Sequence, residues 1–234
     1  MIINYKSFYN DLSNKTVYWL PMDTEERYTE NLKNNYHKLK KYGWLDKPIE
    51  YTFNSHGFRC AEFKQEPNIV FIGCSLTIGI GIHAANRWTD IVANHLNLTC
   101  YNLGIGGSSS DTAFRMLSGW IDKLNPSIVV FKRPPGTRFE LVFQDKIYNL
   151  TIHSDYNKFI NYFIMYYAKD GINAELNYQK NLLAIKSICN DRNIKLFVDN
   201  DISMTGEYID YARDLAHPGI IHNLNYARFI LNNL

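Results

Sequence analysis

Short runs of branched apolar residues alternate with amphipathic helical segments from residue 68 onward. The runs are "NIVFIG", "TCYNLG", "SIVVFK" and "IKLFVD", and each is typical of a strand that is buried on both faces. Strands of this kind, separated by helices, require a parallel sheet with right-handed crossovers. The pattern therefore predicts an α/β fold with a doubly wound, mostly parallel sheet flanked by helices, as in a flavodoxin-like three-layer sandwich.

The segments between these runs have helical periodicity. Two helical stretches are expected between about residues 155 and 192, and the segment "FELVFQDKIYNL" predicts an inserted hairpin around Gln144 to Lys146. The other expected helices are one with Trp88, Ile91, Val92, His95 and Leu96 on one face, one from about Asp111 to Leu124, and a last one that ends near Asn232.

The first 60 residues predict a helical extension packed on the main domain, which spans residues 61 to 234. The stretch "DTEERYTENLKNNYHKLKKYG" opens with Asp23 and Glu26 at capping-box spacing and stops at Gly43. One helical stripe carries Tyr28, Leu32, Tyr36 and Leu39.

Composition excludes several classes of partner. The chain has 234 residues and a formal charge of +2, which gives no field for attracting nucleic acid. No stretch approaches the ~18 apolar residues of a membrane span, and the amino terminus does not resemble a signal peptide. We therefore expect no nucleic-acid partner, no membrane insertion and a cytoplasmic location.

The distribution of the cysteines also favours a cytoplasmic location. Cys60, Cys74, Cys100 and Cys189 are scattered and form no CxxC pair. Two of them lie in or beside predicted buried strands, which favours free thiols in a reducing compartment over disulfides or zinc ligands.

Ser75 is the first candidate for chemistry. It lies two residues after Gly73, where the first predicted strand ends, and ligand sites in doubly wound sheets lie beyond the carboxyl ends of the strands. A serine hydroxyl is a poor nucleophile until a base takes its proton, so the interpretation needs a histidine within reach.

The segment "ARDLAHPGIIHN" supplies that histidine. Asp214 and His217 are three residues apart, so one turn of backbone brings the carboxylate to the imidazole Nδ1 and leaves Nε2 free. Pro218 is suited to the first position of the following helix, which would place His217 at a positive helix end. Taken alone, the same spacing is also typical of a surface turn.

Other interpretations of the motifs are weaker. A phosphate-binding loop needs lysine where this chain has Ile80, and a dinucleotide fingerprint on "GIGIHA" starts six residues too late. Four other histidines, His83, His95, His153 and His222, have no paired metal-ligand spacing, so structural roles and no metal site are expected.

Three motifs in order resemble the SGNH (GDSL-type) hydrolase superfamily. They are "FIGCSLTIG", "YNLGIGGSSSDT" and "DLAHPG", and "NSHGFR" at Asn54 to Arg59 is similar to a segment that precedes the serine block in some members. The resemblance covers roughly residues 50 to 232 and makes residues 61 to 234 an SGNH-hydrolase-like α/β domain. Members are mostly esterases, lipases, thioesterases and carbohydrate deacetylases that need no cofactor.

The resemblance implies site residues position by position. Ser75 matches the nucleophile, His217 the base and Asp214 its partner. The amides of Ser75 and Gly107 match the donors that hold the oxyanion, and Gly106 is the second choice for Gly107.

Two positions depart from the family pattern. Cys74 stands where an aspartate is usual, and we expect it to be a buried filler that points away from the site. Pro134 and Gly136 stand where the third block has a glycine and an oxyanion-binding asparagine. The guanidinium of Arg138 or Arg133 is a candidate replacement, and both are equally typical of surface residues or of residues that bind an acidic group.

The sequence therefore predicts a serine hydrolase that acts on a small-molecule or carbohydrate ester, preferably with a small acyl group. Two alternatives remain open at this point. One is a glycan-binding protein of the same fold with weakened catalysis, and the other is a structural protein that uses residues 1 to 60 as an interaction surface.

Overall fold

The structure is a computed structural model. It describes residues 7–46, 48–143, 146–151, 158–168, 171–200 and 208–234. His153 and Gln144, which the sequence analysis singled out, lie outside these ranges. The elements in chain order are β1 (Thr16–Val17), α1 (Glu25–Asn34), α2 (Tyr36–Tyr42), β2 (Tyr51–Thr52), β3 (Asn68–Ile72), α3 (Ser75–Ile78), α4 (Trp88–His95), β4 (Thr99–Asn102), α5 (Ser110–Leu124), β5 (Ile128–Lys132), β6 (Arg138–Phe143), β7 (Lys146–Thr151), α6 (Lys158–Ala168), α7 (Ile172–Asn190), β8 (Lys195–Asp199) and α8 (Ile220–Asn233).

The four predicted strands form one parallel sheet in the order β4-β3-β5-β8. Every residue of β3 is buried, because the strand lies inside the sheet and is covered on both faces. The first strand of the sheet thus lies between the second and third, which is the doubly wound order with a crevice beyond the carboxyl ends of β3 and β5. The predicted α/β fold is confirmed.

Helices cover both faces of this sheet. Ile69 and Phe71 of β3 pack in a cluster with Trp88 of α4 and Ala227 of α8. The intervening residues of β3 point the other way, since strand side chains alternate, and they pack against α5 and α7. The predicted three layers are present.

The predicted insertion is a hairpin. Strand β6 pairs with β7 in antiparallel register from Arg138 opposite Thr151 to Phe143 opposite Lys146. Phe139 and Leu150 pack with Ile164 of α6 in a small separate cluster.

The amino-terminal helix differs from its prediction in two ways. It is broken at Asn35 into α1 and α2, and its cap is Thr24, whose hydroxyl accepts from the Arg27 amide. Asp23 is not the cap, because its carboxylate is buried against Arg213. The predicted end at Gly43 is correct, since Gly43 has a left-handed φ of 79°.

The last helix begins later than predicted. It starts at Ile220 with Gly219 as its cap, so the expectation that Pro218 is its first residue, with His217 at the helix end, is wrong. The Asp210 carboxylate accepts from the amides of Ile221 and His222 and satisfies this helix start.

Residues on both sides of position 60 share one core. Leu39, Trp44 and Ile49 cluster with Ile80 and Ala212, which lie beside the loops that follow β3 and precede α8. The division into an extension and a domain therefore stays a prediction, and the two parts pack as neighbours in a common apolar cluster.

The described helices include none that is long and apolar enough to cross a bilayer. Cys60, Cys74, Cys100 and Cys189 are all free thiols.

Candidate active site

Ser75 opens α3 directly beyond the carboxyl end of β3, and its side chain is partly exposed. Gly73 makes this turn possible. It has a φ of +155°, and a Cβ there would lie 2.3 Å from Thr77 Oγ1 and 2.9 Å from the Lys132 carbonyl oxygen. A side chain at position 73 would therefore displace the helix that carries Ser75.

Asp214 and His217 form a buried pair. The distance from Asp214 Oδ2 to His217 Nδ1 is 2.5 Å, and the exposed fractions of the two side chains are 0% and 10%. Asp214 Oδ1 accepts from the amides of Ala216 and His217, each at 3.1 Å. Both carboxylate oxygens are thus occupied, and this orientation fixes the imidazole with Nε2 directed away from Asp214.

The turn that joins the pair has an unusual backbone. Leu215 has a φ of 52°, which side-chain-bearing residues adopt at a cost of about 1–3 kcal/mol. Its amide donates to the Ala212 carbonyl at 2.9 Å, which closes the turn. The turn explains how residues three apart in sequence meet without a helix.

No hydrogen bond joins the Ser75 hydroxyl to His217 within the described part of the chain. Two routes hold their backbones at the same edge of the sheet. The Leu76 carbonyl accepts from Trp88 Nε1 at 2.9 Å, and the Trp88 amide donates to Asn223 Oδ1 at 3.1 Å. Asn223 Nδ2 donates in turn to the carbonyl of Pro218 at 3.1 Å, next to His217.

The second route runs through the loop after α3. The Ser75 carbonyl accepts from the Gly79 amide at 3.0 Å, and the Gly81 carbonyl accepts from the Arg213 amide at 3.0 Å, next to Asp214. A Cβ on Gly81 would lie 3.3 Å from Asp214 Oδ1. The loop that follows the serine therefore contacts the loop that carries the acid.

Tyr208 packs edge-on against Tyr211, with ring centroids 5.4 Å apart. Burial raises the pKa of Tyr208 to about 12, and the nearby Cys74 and Asp214 act in the same direction. Cys74 is 1% exposed, as expected for a buried filler. Nothing in the sequence pattern pointed to Tyr208, because its neighbours come from distant segments.

Gly106 and Gly107 in the loop after β4 differ in whether the backbone amide is already bound. The Gly106 amide donates to the Tyr9 hydroxyl at 3.1 Å. The Gly107 amide has no acceptor among the described residues, and a Cβ at Gly107 would meet nothing within 4 Å. Of the two glycines, Gly107 is therefore the one with an N–H available to a ligand.

The loop is held against the first strand. The Ile105 amide and the Ser108 hydroxyl both donate to the Gly73 carbonyl, each at 3.1 Å. Gly107 is thus fixed relative to the turn that leads to Ser75.

Arg133 contacts two residues of α7. Its guanidinium pairs with Glu175 and lies 3.8 Å from the centroid of the Tyr178 ring. Arg138, like Arg133, has one buried nitrogen without a hydrogen-bond partner among the described residues, Nη1 in Arg138 and Nε in Arg133. Arg138 shares a face of β6 with Glu140, whose carboxylate binds Thr112 and Arg115 of α5.

His83, His95 and His222 do not join the Asp214–His217 pair in any hydrogen bond within the described ranges. The ring of His222 packs edge-on against Tyr208 with centroids 5.2 Å apart. Burial lowers the pKa of His222. No group of three or more potential metal ligands occurs in the portion that the structure describes.

Comparisons with known proteins gave matches to solved structures alone. No protein-family model matches the chain, and no curated protein is similar in sequence. One similar structure is a member of the lipolytic protein G-D-S-L family from Veillonella parvula, with 13% identity over 70% of this chain and 96% of that chain and a TM-score of 0.36. Another is a psychrotrophic esterase from Pseudoalteromonas, with 15% identity over 72% and 100% of the two chains and a TM-score of 0.35.

A third similar structure is a family two carbohydrate esterase from Clostridium thermocellum in complex with cellohexaose. It is 15% identical over 74% of this chain and 65% of that chain, with a TM-score of 0.37. Sequence identities this low do not assign roles to residues, so the evidence for each role comes from the geometry of this chain.

Proposed function

We propose that this protein is a serine hydrolase that cleaves an ester bond. The observation that carries the proposal is the buried Asp214–His217 pair at 2.5 Å, at the sheet edge where Ser75 begins α3. A carboxylate with both oxygens bound and an imidazole with Nε2 directed outward are what nucleophilic catalysis by a serine requires.

The proposed reaction uses these residues in the following order. The Ser75 oxygen attacks the acyl carbon while His217 Nε2 takes the hydroxyl proton, and Asp214 stabilises the imidazolium without accepting that proton. The carbonyl oxygen becomes an oxyanion that accepts from the amides of Ser75 and Gly107. The imidazolium then protonates the leaving alcohol, and water activated by the same histidine releases the acid and restores Ser75.

The missing direct contact between Ser75 and His217 is compatible with this mechanism. Catalytic hydrogen bonds are often long without substrate and shorten in the reacting complex. The two backbone routes through Trp88 and Gly81 limit the separation that substrate binding has to close.

The narrower proposal is a small-molecule or carbohydrate ester with a small acyl group as substrate, and a cytoplasmic location. A longer acyl chain is the second candidate, because α6 exposes large apolar side chains beside the hairpin. These are Tyr162, Phe163, Met165 and Tyr166. A series of p-nitrophenyl esters from acetate to decanoate separates the two, since kcat/KM falls with chain length in the first case and rises in the second.

A binding protein of the same fold is the alternative that a specific observation favours. Pro134 and Gly136 replace the third-block glycine and asparagine, and loss of one oxyanion donor costs about 10²–10³ in rate. This alternative predicts saturable binding of a glycan without turnover.

The deciding experiment is p-nitrophenyl acetate hydrolysis with an organophosphate that labels an activated serine. We expect turnover in the wild type, a single adduct on Ser75, and loss of both in Ser75→Ala. Cys74→Ala is the matched variant, because a thiol nucleophile would lose turnover in that protein instead. A folded wild type with no turnover and no adduct would contradict the proposal.

A further inference from the structure

Side chains of the amino-terminal segment, residues 7–60, contact each of the three elements that the proposed reaction uses. The first contact is with the loop that carries the acid. Arg27 Nε donates to the Asp214 carbonyl oxygen at 2.8 Å, and Asn31 Nδ2 approaches the same oxygen at 3.4 Å. The two residues lie four apart on α1, so one helix face contacts the backbone of Asp214.

A buried ion pair extends this contact. Asp23 and Arg213 pair at 2.7 Å with side-chain exposures of 1% and 3%. The Tyr51 hydroxyl donates to the same Asp23 carboxylate and accepts from the Gly81 amide, the latter at 2.8 Å. Because Arg213 also donates from its amide to the Gly81 carbonyl, the acid loop and the loop after Ser75 are joined in a closed ring of hydrogen bonds.

The second contact is with the helix of the nucleophile. Arg59 Nη1 donates to the carbonyls of Ile78 and Gly79, which end α3, at 3.2 and 2.5 Å. Its Nη2 donates to the Ile82 carbonyl at 2.8 Å. A cation at the carboxyl end of a helix binds the carbonyls that lack an intrahelical donor, and Arg59 does so at the end of α3 together with Arg87, whose Nη1 donates to the Ile78 carbonyl at 3.3 Å.

Burial of the charged Arg59 side chain at this position costs free energy. Arg59 is 2% exposed, its hydrogen-bond acceptors among the described residues are carbonyl oxygens, and burial lowers its pKa to about 9, helped by the neighbouring Arg87. An apolar side chain is usually the more stabilising occupant of a buried position. The charge is therefore better explained by what it holds than by the packing it provides.

The third contact is with the loop of the oxyanion amide. The Tyr9 hydroxyl accepts from the Gly106 amide at 3.1 Å, and Gly106 precedes the open Gly107. Tyr9 also packs against Phe53, with ring centroids 5.3 Å apart. The segment thus satisfies one amide of the loop and leaves the next one available.

We propose that residues 7–60 complete the active site, with Arg27 as a positioning residue for Asp214, Arg59 for the helix of Ser75 and Tyr9 for the loop of Gly107. The proposal rests on the proposed function. None of the three side chains touches the reacting atoms in this arrangement, and each acts through the backbone of a catalytic element. Misplacement of a catalytic group by about 1 Å costs on the order of 10²-fold in rate.

The test uses the full chain and two readouts, the rate constant of organophosphate labelling at Ser75 and the separate kcat and KM for p-nitrophenyl acetate. Arg27→Gln is compared with Lys33→Gln, which removes a positive charge from an exposed position of the same helix. We expect Arg27→Gln to lower labelling and kcat by about 10- to 100-fold with KM nearly unchanged, and Arg27→Lys to recover part of the loss. Lys33→Gln should match the wild type.

Tyr9→Phe is the second variant and removes a single hydroxyl. Its matched control is Tyr36→Phe, at a side chain that is 52% exposed. Tyr9→Phe should lower kcat more than it lowers the rate constant of organophosphate labelling. A purely structural tyrosine would change the melting temperature and leave kcat of the folded fraction intact.

The two levels of proposal fail in different ways. A wild type that is not labelled at Ser75 contradicts the serine hydrolase itself. A wild type that is labelled, with Arg27→Gln and Tyr9→Phe as fast as their controls, overturns the positioning role alone.

Discussion

Lys132 and Asp199 form an ion pair of 2.7 Å at the carboxyl ends of two neighbouring strands, with side chains 1% and 5% exposed. They are register partners in β5 and β8, so the pairing of the strands itself brings the charges together. The Tyr226 hydroxyl of α8 donates to the same carboxylate oxygen. The pair thus fixes α8, and with it the loop of His217, to the edge of the sheet that carries the site.

Removal of one member of this pair is expected to be strongly destabilising. Lys132→Met removes the ammonium that pairs with the buried carboxylate of Asp199, and breaking a buried ion pair typically costs about 3–5 kcal/mol. The double variant Lys132→Met with Asp199→Leu should recover part of that loss, because an apolar pair needs no counter-charge, while the Tyr226 hydroxyl loses its acceptor. Urea unfolding of the three proteins measures both differences. A single variant within about 1 kcal/mol of the wild type would contradict the expectation.

The parts of the fold that the sequence predicted are those set by local patterns. Runs of branched apolar residues identified the four parallel strands, and Gly43 ended the second helix, because burial on two faces and a left-handed backbone each leave a signature within a few residues. The Asp214–His217 contact was predictable for the same reason, since its members are three residues apart.

The parts that the sequence did not predict depend on contacts between distant segments. Asp23 has capping-box spacing, yet it is buried against Arg213, which is 190 residues away. Tyr9 and Arg27 carry no local signal for a role beside Gly106 and Asp214. Competition between a local cap and a buried ion pair is decided by tertiary packing, which one sequence does not display.

Asp214→Asn is expected to abolish most turnover without unfolding the protein. An amide in place of Oδ2 donates to Nδ1 and stabilises the wrong tautomer of His217, and such a change lowers kcat about 10⁴-fold in a serine protease. The measurement is kcat for p-nitrophenyl acetate. Asp191→Asn, an exposed aspartate at the end of α7, is the matched control and should retain wild-type kcat. Equal activity of the two variants would exclude Asp214 from the mechanism.

The lowered pKa of His222 predicts that the free energy of unfolding decreases at acid pH. Burial is the largest cause that lowers the pKa of His222; Lys132 acts in the same direction and Asp210 opposes it. As the pH falls below about 6.5, the unfolded chain binds the proton first, so the free energy of unfolding decreases down to the lowered folded pKa. Above this window both states are neutral and the contribution vanishes.

The comparison that isolates this effect is wild type against His222→Gln in urea unfolding from pH 8 to pH 5. The difference in free energy of unfolding between wild type and variant should decrease as the pH falls through 6.5. A difference that is constant across the range, or that grows toward acid, would show that the folded protein binds the proton as readily as the unfolded chain.

Alanine substitution of Arg138 and of Arg133 is expected to have different effects on kcat, although both residues lie in the segment that replaces the third sequence block. Arg133 pairs with Glu175 and lies over the ring of Tyr178, although its Nε, like Nη1 of Arg138, is buried without a partner among the described residues. If the guanidinium of Arg138 supplies the missing oxyanion donor, Arg138→Ala lowers kcat about 10²–10³-fold, the typical effect of one such donor.

Arg133→Ala is the matched control, because it removes the same charged group five residues earlier, from the loop that leads into β6. It should leave kcat unchanged and cost a little stability through the lost contact with α7. Arg138→Lys should recover only part of the rate, since an ammonium lacks the planar fork of donors that a guanidinium offers. Wild-type turnover in Arg138→Ala would mean that the amides of Ser75 and Gly107 hold the oxyanion alone, and a loss in Arg133→Ala as large as that in Arg138→Ala would point to the loop conformation rather than to a donor.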